Sequence, residues 1–228
     1  MQIAVVDLGV GNLRSVKQAV SAVAPNADVI LSSDAQALLN ADKVVLPGQG
    51  AVGTWFSELK SRGLEQALAT CLLEKPLLGI CVGMQALFDY CEEDGGREGL
   101  GVFHGSVKHF SHFHGLDDES QKPEDSDTPA DRLKIPQMGW NQVFQLREHP
   151  LWDGIDDNSY FYFVHSFCAN TAPDSDLGVV YGGADYGHKF IAAVGRSNVF
   201  AVQFHPEKSH DNGLALLKNF TNWNGQAN

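Results

Sequence analysis

The chain of 228 residues is 43% hydrophobic and 19% charged, the balance of an ordinary globular protein with a full core. Its formal net charge of −12 disfavours nucleic acid or an anionic membrane as a partner, and no apolar run is long enough to span a bilayer. The four cysteines include no C-x-x-C pair, which predicts reduced thiols. No basic segment precedes the first apolar run, so a cytoplasmic location is expected.

The first half of the chain alternates strand-like and helix-like segments. Residues 3–7 form an apolar run typical of a strand buried on both faces, and residues 13–23 carry apolar side chains at helical spacing. Further strands and helices are predicted, in alternation, at residues 28–31, 35–39, 43–46, 51–74, 77–81 and 82–90. This order predicts a flavodoxin-like α/β fold with a mostly parallel sheet, helices on both faces, and ligands beyond the carboxyl ends of the strands.

The second half has a different sequence pattern, with short strand-like segments between turns. It predicts a smaller antiparallel layer, closed by an amphipathic helix that contains Leu214, Leu217 and Phe220. The predicted strands are residues 100–103, 107–110, 143–146, 160–165, 177–181, 190–194 and 199–204. We expect residues 1–228 to form a single domain.

Residues 112–132 are predicted to form a mobile acidic surface loop. Seven acids and two bases lie between Asp117 and Arg132, and such a segment buries too little apolar surface to offset its ordering entropy. His109, His112 and His114 nearby do not match the common spacings of zinc ligands, so we predict no metal site.

Cys81 lies between an apolar strand and a helix, with Gly79 and Gly83 two residues to either side. This is the spacing of a nucleophile elbow, and a thiol at a helix N-terminus is biased toward the reactive thiolate. A buried structural cysteine is the alternative from these residues alone.

A thiol nucleophile needs a base, and the base needs an orienting acceptor. His205 follows an apolar strand, and Pro206 holds it in an extended conformation. Glu207 lies two residues further on the same face, so its carboxylate can reach the distal ring nitrogen and fix the tautomer. A solvated surface turn is the alternative interpretation.

Two further groups of residues complete a candidate site for acyl transfer. Pro47-Gly48-Gln49-Gly50 ends a buried strand with glycines that allow backbone N–H groups to face an oxyanion. Gln85 lies one helical turn after Cys81, and His165-Ser166-Phe167 ends another strand. A dinucleotide site at Gly9-Val10-Gly11 is disfavoured because Arg14 stands where the third glycine belongs.

These segments together resemble a known family. G-I-C-V-G-M-Q at residues 79–85, P-G-Q-G at 47–50 and Q-F-H-P-E at 203–207 are similar to the three signatures of class I (triad) glutamine amidotransferases, in the same order. The resemblance implies that Cys81, His205 and Glu207 form a catalytic triad, that Cys81 forms a γ-glutamyl thioester with L-glutamine, and that no cofactor is needed. It also implies an oxyanion hole at Gly48, Gly50 and Val82. The family's glutamine-binding positions match Gln85, Glu98, His165, Ser166 and Phe167.

Three further segments narrow the resemblance. D-L-G-V-G-N-L at residues 7–13, P-Q-M-G-W-N at 136–141 and Y-F-V-H-S-F at 162–167 resemble the glutaminase subunits of imidazole glycerol phosphate synthases. This implies a heterodimer with a (βα)₈-barrel cyclase, which receives the ammonia and makes imidazole glycerol phosphate and AICAR in histidine biosynthesis. The positions on the partner-facing side match Asn12, Trp140, Tyr162 and Lys208.

The chain departs from the family's pattern at a few positions. Gln49 stands where a small apolar residue is usual, Gln137 replaces a histidine and Phe167 replaces a tyrosine, and the 112–132 loop is longer than in most members. An amidotransferase of another pathway is disfavoured by the M-G-W-N segment. A non-catalytic module on the same scaffold would have no need of all three triad residues, and a peptidase would fit Gln85 and His165-Ser166 less well than a small amino-acid substrate does.

Overall fold

The computed structural model describes residues 1–113, 133–169 and 179–226. The α-helices are α1 (Leu13–Val23), α2 (Ala35–Asn40), α3 (Val52–Ser61), α4 (Glu65–Glu74), α5 (Val82–Gln85) and α6 (His210–Asn222). The strands are β1 (Gln2–Val6), β2 (Asp28–Ser32), β3 (Lys43–Gly48), β4 (Leu77–Cys81), β5 (Phe88–Cys91), β6 (Arg97–Glu98), β7 (Phe103–His109), β8 (Gln137–Gln145), β9 (Ser159–His165), β10 (Phe167–Ala169), β11 (Val180–Asp185), β12 (Lys189–Arg196) and β13 (Val199–Val202).

A nine-stranded sheet in the order β2-β1-β3-β4-β13-β12-β11-β8-β9 runs through the molecule. Neighbours from β2 to β13 are parallel, and neighbours from β13 to β9 are antiparallel. The predicted α/β class with a parallel centre is confirmed. Most of the antiparallel strands extend the same sheet, because β13 pairs in parallel with β4 on one side and antiparallel with β12 on the other.

A second, four-stranded sheet has the order β10-β7-β5-β6. Its strand β5 occupies residues for which the sequence predicts a helix. The predicted helix runs through residue 90, whereas α5 ends at Gln85. The carbonyl groups of Ala86, Leu87 and Phe88, which would continue the helix, accept hydrogen bonds from Leu100, Val102 and Gly101. Long-range pairing therefore overrides the local helical spacing.

Helices cover both faces of the parallel half. Strands β1, β3, β4 and β13 are almost wholly buried, as their continuous apolar sequences predict. Helix α1 packs beside α6, and α2 packs beside α4. Since β1-α1-β2 and β2-α2-β3 cross the sheet in opposite directions, right-handed crossovers place the two helix pairs on opposite faces. The carboxyl ends of β3, β4 and β13 consequently meet at one edge.

Some sequence predictions concern residues outside this fold. Residues 114–132 of the predicted acidic loop, and the first two residues of the strand predicted at 177–181, lie outside the described residues. The assignment of the chain to a single domain stays a prediction. No helix in the described parts of the chain is long and apolar enough to cross a membrane.

Candidate active site

Cys81 occupies a strained turn between β4 and α5. Its backbone has φ 55° and ψ −111°, a conformation that costs a residue with a side chain on the order of 1–3 kcal/mol and that concentrates at functional sites. The turn raises the sulfur above the carboxyl end of β4, where a cavity opens. Helix α5 has only four residues, so the immediate side-chain neighbours of the sulfur matter more than a helix dipole does.

The glycines that flank Cys81 allow the elbow to pack closely on the neighbouring strands. A Cβ on Gly83 would overlap the carbonyl oxygen of Leu46 in β3. A Cβ on Gly79 would lie 2.9 Å from the Cβ of Ala201 in β13. Both residues have ordinary backbone angles, and the positive φ belongs to Cys81 itself. The G-x-C-x-G spacing therefore reflects close packing on both sides of the nucleophile.

His205 and Glu207 form the predicted pair. Val202 at the end of β13 lies in register with Ile80, which brings His205 to the edge where Cys81 stands. The Nδ1 atom of His205 lies 2.9 Å from Oε1 of Glu207, and both side chains are 1% exposed. Because a carboxylate only accepts, Nδ1 carries the proton that is donated to Glu207. The geometry at this pair is the one that the H-P-E spacing predicts.

The environment of His205 favours its charged form. Burial by itself lowers the pKa of this imidazole, but the electrostatic effect of Cys81 and Glu207 and the hydrogen bond to Glu207 outweigh burial and raise its pKa well above the ordinary value. Nε2 of His205 is buried and makes no hydrogen bond to the described residues. The raised pKa means that the His205 ring holds its second proton, and the ring lies between Cys81 and Glu207, so a proton is available beside the nucleophile.

His165 is a second buried histidine of the site, and it is neutral. Desolvation lowers its pKa to about 4. Its Nδ1 donates to the carbonyl oxygen of Phe167 at 2.8 Å, and its Nε2 lies 3.0 Å from Oε1 of Gln137. A neutral ring carries only one proton, so it satisfies both neighbours when the Gln137 amide turns its N–H toward Nε2. Gln137 thus takes the place of the usual histidine as a neutral partner of this ring.

A cavity of about 430 Å³ opens over Cys81. This size lies in the range of pockets that hold small ligands. The predicted residues that line it are Gly50, Cys81, Val82, Gln85, His165, Ser166, Phe167 and Lys208. The structure therefore brings the nucleophile together with most of the predicted glutamine-binding residues.

Glu98 is not among the lining residues. It is exposed in the short strand β6, where it pairs with Tyr90. Glu93 lies at the cavity wall instead, and its Oε2 accepts the N–H of Val52 at 2.7 Å. Burial raises the pKa of the Glu93 carboxyl. Nothing in the sequence singles out Glu93, because a run of three acids before two glycines is typical of a solvated turn.

The predicted oxyanion turn, residues 47–50, lies beside the elbow. Gly48 is in register with Cys81, and a Cβ on it would lie 2.7 Å from the Cβ of Val82. Gly50 has φ 80° and faces the cavity. The side-chain oxygen of Gln49 accepts the N–H of Asn12 at 2.9 Å, which ties this turn to the loop before α1. A small apolar residue at position 49 could not make this bond.

The remaining predicted residues, Asn12, Trp140 and Tyr162, do not line the cavity, but Tyr162 contacts Lys208 and Asn12 bonds Gln49, which both line it. Trp140 is 46% exposed and stacks on His210, with ring centroids 5.2 Å apart. Tyr162, directly opposite Trp140 in the β8–β9 pair, lies under the ammonium of Lys208 at 5.6 Å. Asn12 caps α1 and is exposed.

Comparison with known proteins identifies the family of this chain. The family model for glutamine amidotransferase class-I matches residues 4–223. The chain belongs to the class-I glutamine amidotransferases. The family assignment covers every residue of the elbow, the oxyanion turn and the H-P-E segment.

Curated class-I amidotransferases resemble this chain over nearly its whole length. The "Imidazole glycerol phosphate synthase subunit HisH" of Thiobacillus denitrificans is 48% identical over 98% of this chain and 92% of its own length. The protein of the same name from Dechloromonas aromatica is 49% identical over 97% of this chain and 96% of its own. The chain therefore belongs to the HisH family within the class.

Solved amidotransferase structures share the fold at low sequence identity. A GMP synthase subunit protein from Thermoplasma acidophilum has a TM-score of 0.65, 20% identity, and coverage of 97% of this chain and 92% of its own. The glutaminase domain of Trypanosoma brucei CTPS with bound acivicin has a TM-score of 0.60, 16% identity, and coverage of 100% and 98%. At these identities the likeness concerns the fold alone.

Proposed function

We infer that this chain is the glutamine amidotransferase (HisH) subunit of an imidazole glycerol phosphate synthase and hydrolyses L-glutamine to glutamate and ammonia for histidine biosynthesis. The observation that carries the chemistry is the strained Cys81 elbow, which lines a cavity of about 430 Å³ and lies beside the buried, hydrogen-bonded His205–Glu207 pair. The HisH relatives, at 48% and 49% identity, support the assignment to imidazole glycerol phosphate synthase and its pathway.

In the first half of the proposed reaction, the Cys81 sulfur attacks the carboxamide carbon of glutamine. The C–N bond then breaks, Nε2 of His205 gives its proton to the departing nitrogen, and a γ-glutamyl thioester and ammonia result. Glu207 stays ionised and holds the ring through Nδ1, so the proton moves only at the Nε2 side.

In the second half, water attacks the thioester carbon. His205, now neutral, takes a proton from the water, the C–S bond breaks, and its electron pair returns to the sulfur. Glutamate leaves, and the charged pair of Cys81 and His205 is restored. The same histidine serves as acid and then as base, which is why a raised pKa with a nearby anion suits it.

The substrate fits the polar and apolar walls of the cavity. The N–H groups of Gly50 and Val82 are proposed to stabilise the oxyanion, and Gly48 lets the oxyanion turn approach the elbow closely. The α-amino group of glutamine is proposed to lie by Glu93, which is the anionic residue of the cavity lining. The wall formed by Gln85, His165, Ser166 and Phe167 supplies a neutral surface for the rest of the substrate.

A cyclase partner is proposed to cover the cavity mouth, as a (βα)₈ barrel forming a heterodimer in the cytoplasm. Met138, Trp140 and Tyr160 are exposed by 65%, 46% and 52%. They lie with Tyr162 on the outer face of the β8–β9 pair, because alternate residues of a strand share a face. Such a contiguous apolar patch beside an active site is typical of a protein interface.

The experiment that tests this function measures glutaminase activity with and without the purified cyclase and its ligand. We expect low activity from the chain alone and strong stimulation by the complex. Cys81→Ala should abolish both activity and labelling by a glutamine analogue. Labelling at Cys71, Cys91 or Cys168 instead would refute the nucleophile assignment.

The interface proposal has its own pair of variants. Trp140→Ala should weaken cyclase binding by about 2 kcal/mol or more, the loss that defines an interface hot spot. Leu146→Ala is the matched control, since Leu146 is 51% exposed just after the opposite end of β8. Equal binding by the two variants would place the interface elsewhere, and full activity without the cyclase would contradict the HisH assignment.

A further inference from the structure

Gln203 is a fully buried polar residue that the triad does not include. It follows β13 directly, and its backbone N–H donates to the carbonyl of Ala192 at 2.9 Å. Its side chain is 0% exposed and does not line the cavity. A buried amide costs free energy unless its donors and acceptor are satisfied, so its partners define what it does.

The partners of Gln203 are two residues of the active site. Its Oε1 accepts from Nε2 of Gln85 at 3.1 Å, and its Nε2 lies 3.7 Å from the sulfur of Cys81. Nε2 of Gln85 also donates to the carbonyl oxygen of Phe167 at 2.9 Å. A chain of hydrogen bonds therefore runs from the backbone of β10 through two side-chain amides to the nucleophile.

The direction of this chain is fixed at its far end. A backbone carbonyl can only accept, so Phe167 orients the Gln85 amide with its NH₂ group inward. The second N–H of that group points toward Gln203, so the side-chain oxygen of Gln203 accepts it. The NH₂ group of Gln203 therefore faces the sulfur. The carbonyl oxygen of Phe167, at the far end of the network, thus determines that Cys81 faces a hydrogen-bond donor.

We propose that Gln203 is a positioning residue that donates an N–H to the Cys81 sulfur and couples the nucleophile to the substrate-side residue Gln85. The proposal rests on the glutaminase function inferred above. A thiolate is a stronger acceptor than a thiol or a thioester sulfur, so this donor favours the charged nucleophile before attack. It also favours the return of the electron pair to sulfur when the thioester C–S bond breaks.

Several charged or titratable groups also surround Cys81, and the test must separate Gln203 from them. His205 is the nearest cation, and Glu207 lies behind it. His165 is neutral and lines the cavity. Glu93 and Lys208 line the same cavity from two other elements. Gln203 differs from the charged groups because replacing it by an apolar side chain changes no formal charge and removes only its hydrogen bonds to the sulfur and to Gln85.

The experiment measures the rate at which a small neutral haloacetamide alkylates Cys81 as a function of pH, read on the Cys81 peptide by mass spectrometry. Gln203→Met keeps the length of the side chain and removes the donor. We expect the midpoint of the alkylation profile to move to higher pH by about one unit, the size of one hydrogen bond to a charged group. Glutaminase turnover should fall about tenfold in the same variant.

Gln145→Met is the matched control. The side-chain N–H of Gln145 donates to the carbonyl of Ile155 at 2.7 Å, far from the sulfur at the opposite end of β8. This variant loses a similar hydrogen bond and should leave the alkylation midpoint unchanged. A structural effect of losing a glutamine would move both profiles alike, whereas the proposal requires that only the Gln203 profile moves.

Two outcomes overturn the proposal. An unchanged alkylation midpoint in folded Gln203→Met would show that the Gln203 N–H does not act on the sulfur. In that case the proposed glutaminase function would still hold if the unaltered chain turns over glutamine. Equal shifts in the Gln203 and Gln145 variants would assign Gln203 a purely structural role. If the methionine variant does not fold, Gln203→Leu replaces it, because it also removes the donor and adds no charge. Gln85→Leu, which releases the Gln203 amide, should then give a smaller shift in the same direction.

Discussion

The two buried histidines of the site differ in charge state: His205 is charged, and His165 is neutral. His205 stands between the negative charges of Cys81 and Glu207, and its pKa is raised. His165 faces a carbonyl and an amide, and burial lowers its pKa to about 4. Both rings are almost fully buried, so burial does not explain the difference in charge state. The formal charge of the neighbouring groups explains it.

This difference divides the site into a charged part, formed by Cys81, His205 and Glu207, and a neutral wall at His165, which is proposed to hold the substrate. The charged part places a proton beside the nucleophile. The neutral wall offers hydrogen bonds without a competing charge, which suits an uncharged carboxamide. Four predictions, from the largest expected effect to the smallest, test this division and the contacts and charge states on which the site and the fold depend.

Glu207→Gln removes one of the two anions at His205. We expect turnover to fall on the order of 10³-fold, the range seen when a general base loses its orienting carboxylate. The amide nearly preserves the shape of the side chain, so the melting temperature should change little compared with this loss. Steady-state kinetics with saturating glutamine measures the effect. Turnover within tenfold of the unaltered chain would show that the ring does not depend on Glu207.

Acid should destabilise the protein through its buried neutral histidines. The pKa values of His165 and His149 are lowered to about 4 by desolvation. A folded pKa below the unfolded value gives stability that is full above about pH 6.5 and is lost as pH falls toward about 4. Each residue can lose on the order of 3 kcal/mol over that window.

His149 tests this prediction without touching the site. His149→Gln removes one of the two titrations, so unfolding free energy measured by denaturant should depend less steeply on pH between 6.5 and 4. His104→Gln is the control, since the His104 side chain is 71% exposed. The same pH dependence in both variants would mean that His149 is not held neutral by the fold.

Gln137→Glu converts the neutral wall into a charged one. A carboxylate beside Nε2 of His165 should raise the pKa of that ring, because an opposite charge favours the protonated form. We expect the KM for glutamine to rise roughly tenfold, while turnover changes less. NMR titration of the His165 ring and steady-state kinetics provide the measurements. Gln142→Glu, exposed on the same strand, is the control and should leave both unchanged.

Gln49→Ala removes the bond that ties the oxyanion turn to the loop before α1. The N–H of Asn12 loses its acceptor, and stability should fall by about 1 kcal/mol. Gln36→Ala is the control, because the exposed hydrogen bond from Gln36 to Asn40 contributes little. Chemical denaturation compares the two. Equal stability of both variants would remove Gln49 as a link between the two loops.

The sequence predicted those parts of the site that neighbouring residues define. The spacing of Gly79, Cys81 and Gly83 indicated an elbow, because close packing on two strands excludes a side chain at both glycines. The spacing of His205 and Glu207 indicated their hydrogen bond, because two residues on an extended backbone share a face. Each inference needed only a few residues of chain.

The tertiary structure decided what depends on distant partners. Helix α5 ends early because carbonyls of residues 86–88 find partners in residues 100–102. Glu93 reaches the cavity wall, whereas Glu98 pairs with Tyr90 of β5 and is exposed. The charge states of the two histidines follow from the atoms that face each ring. Composition and spacing identify groups that can ionise, but only packing sets the dielectric environment and the charges around them, and these determine which group carries the proton.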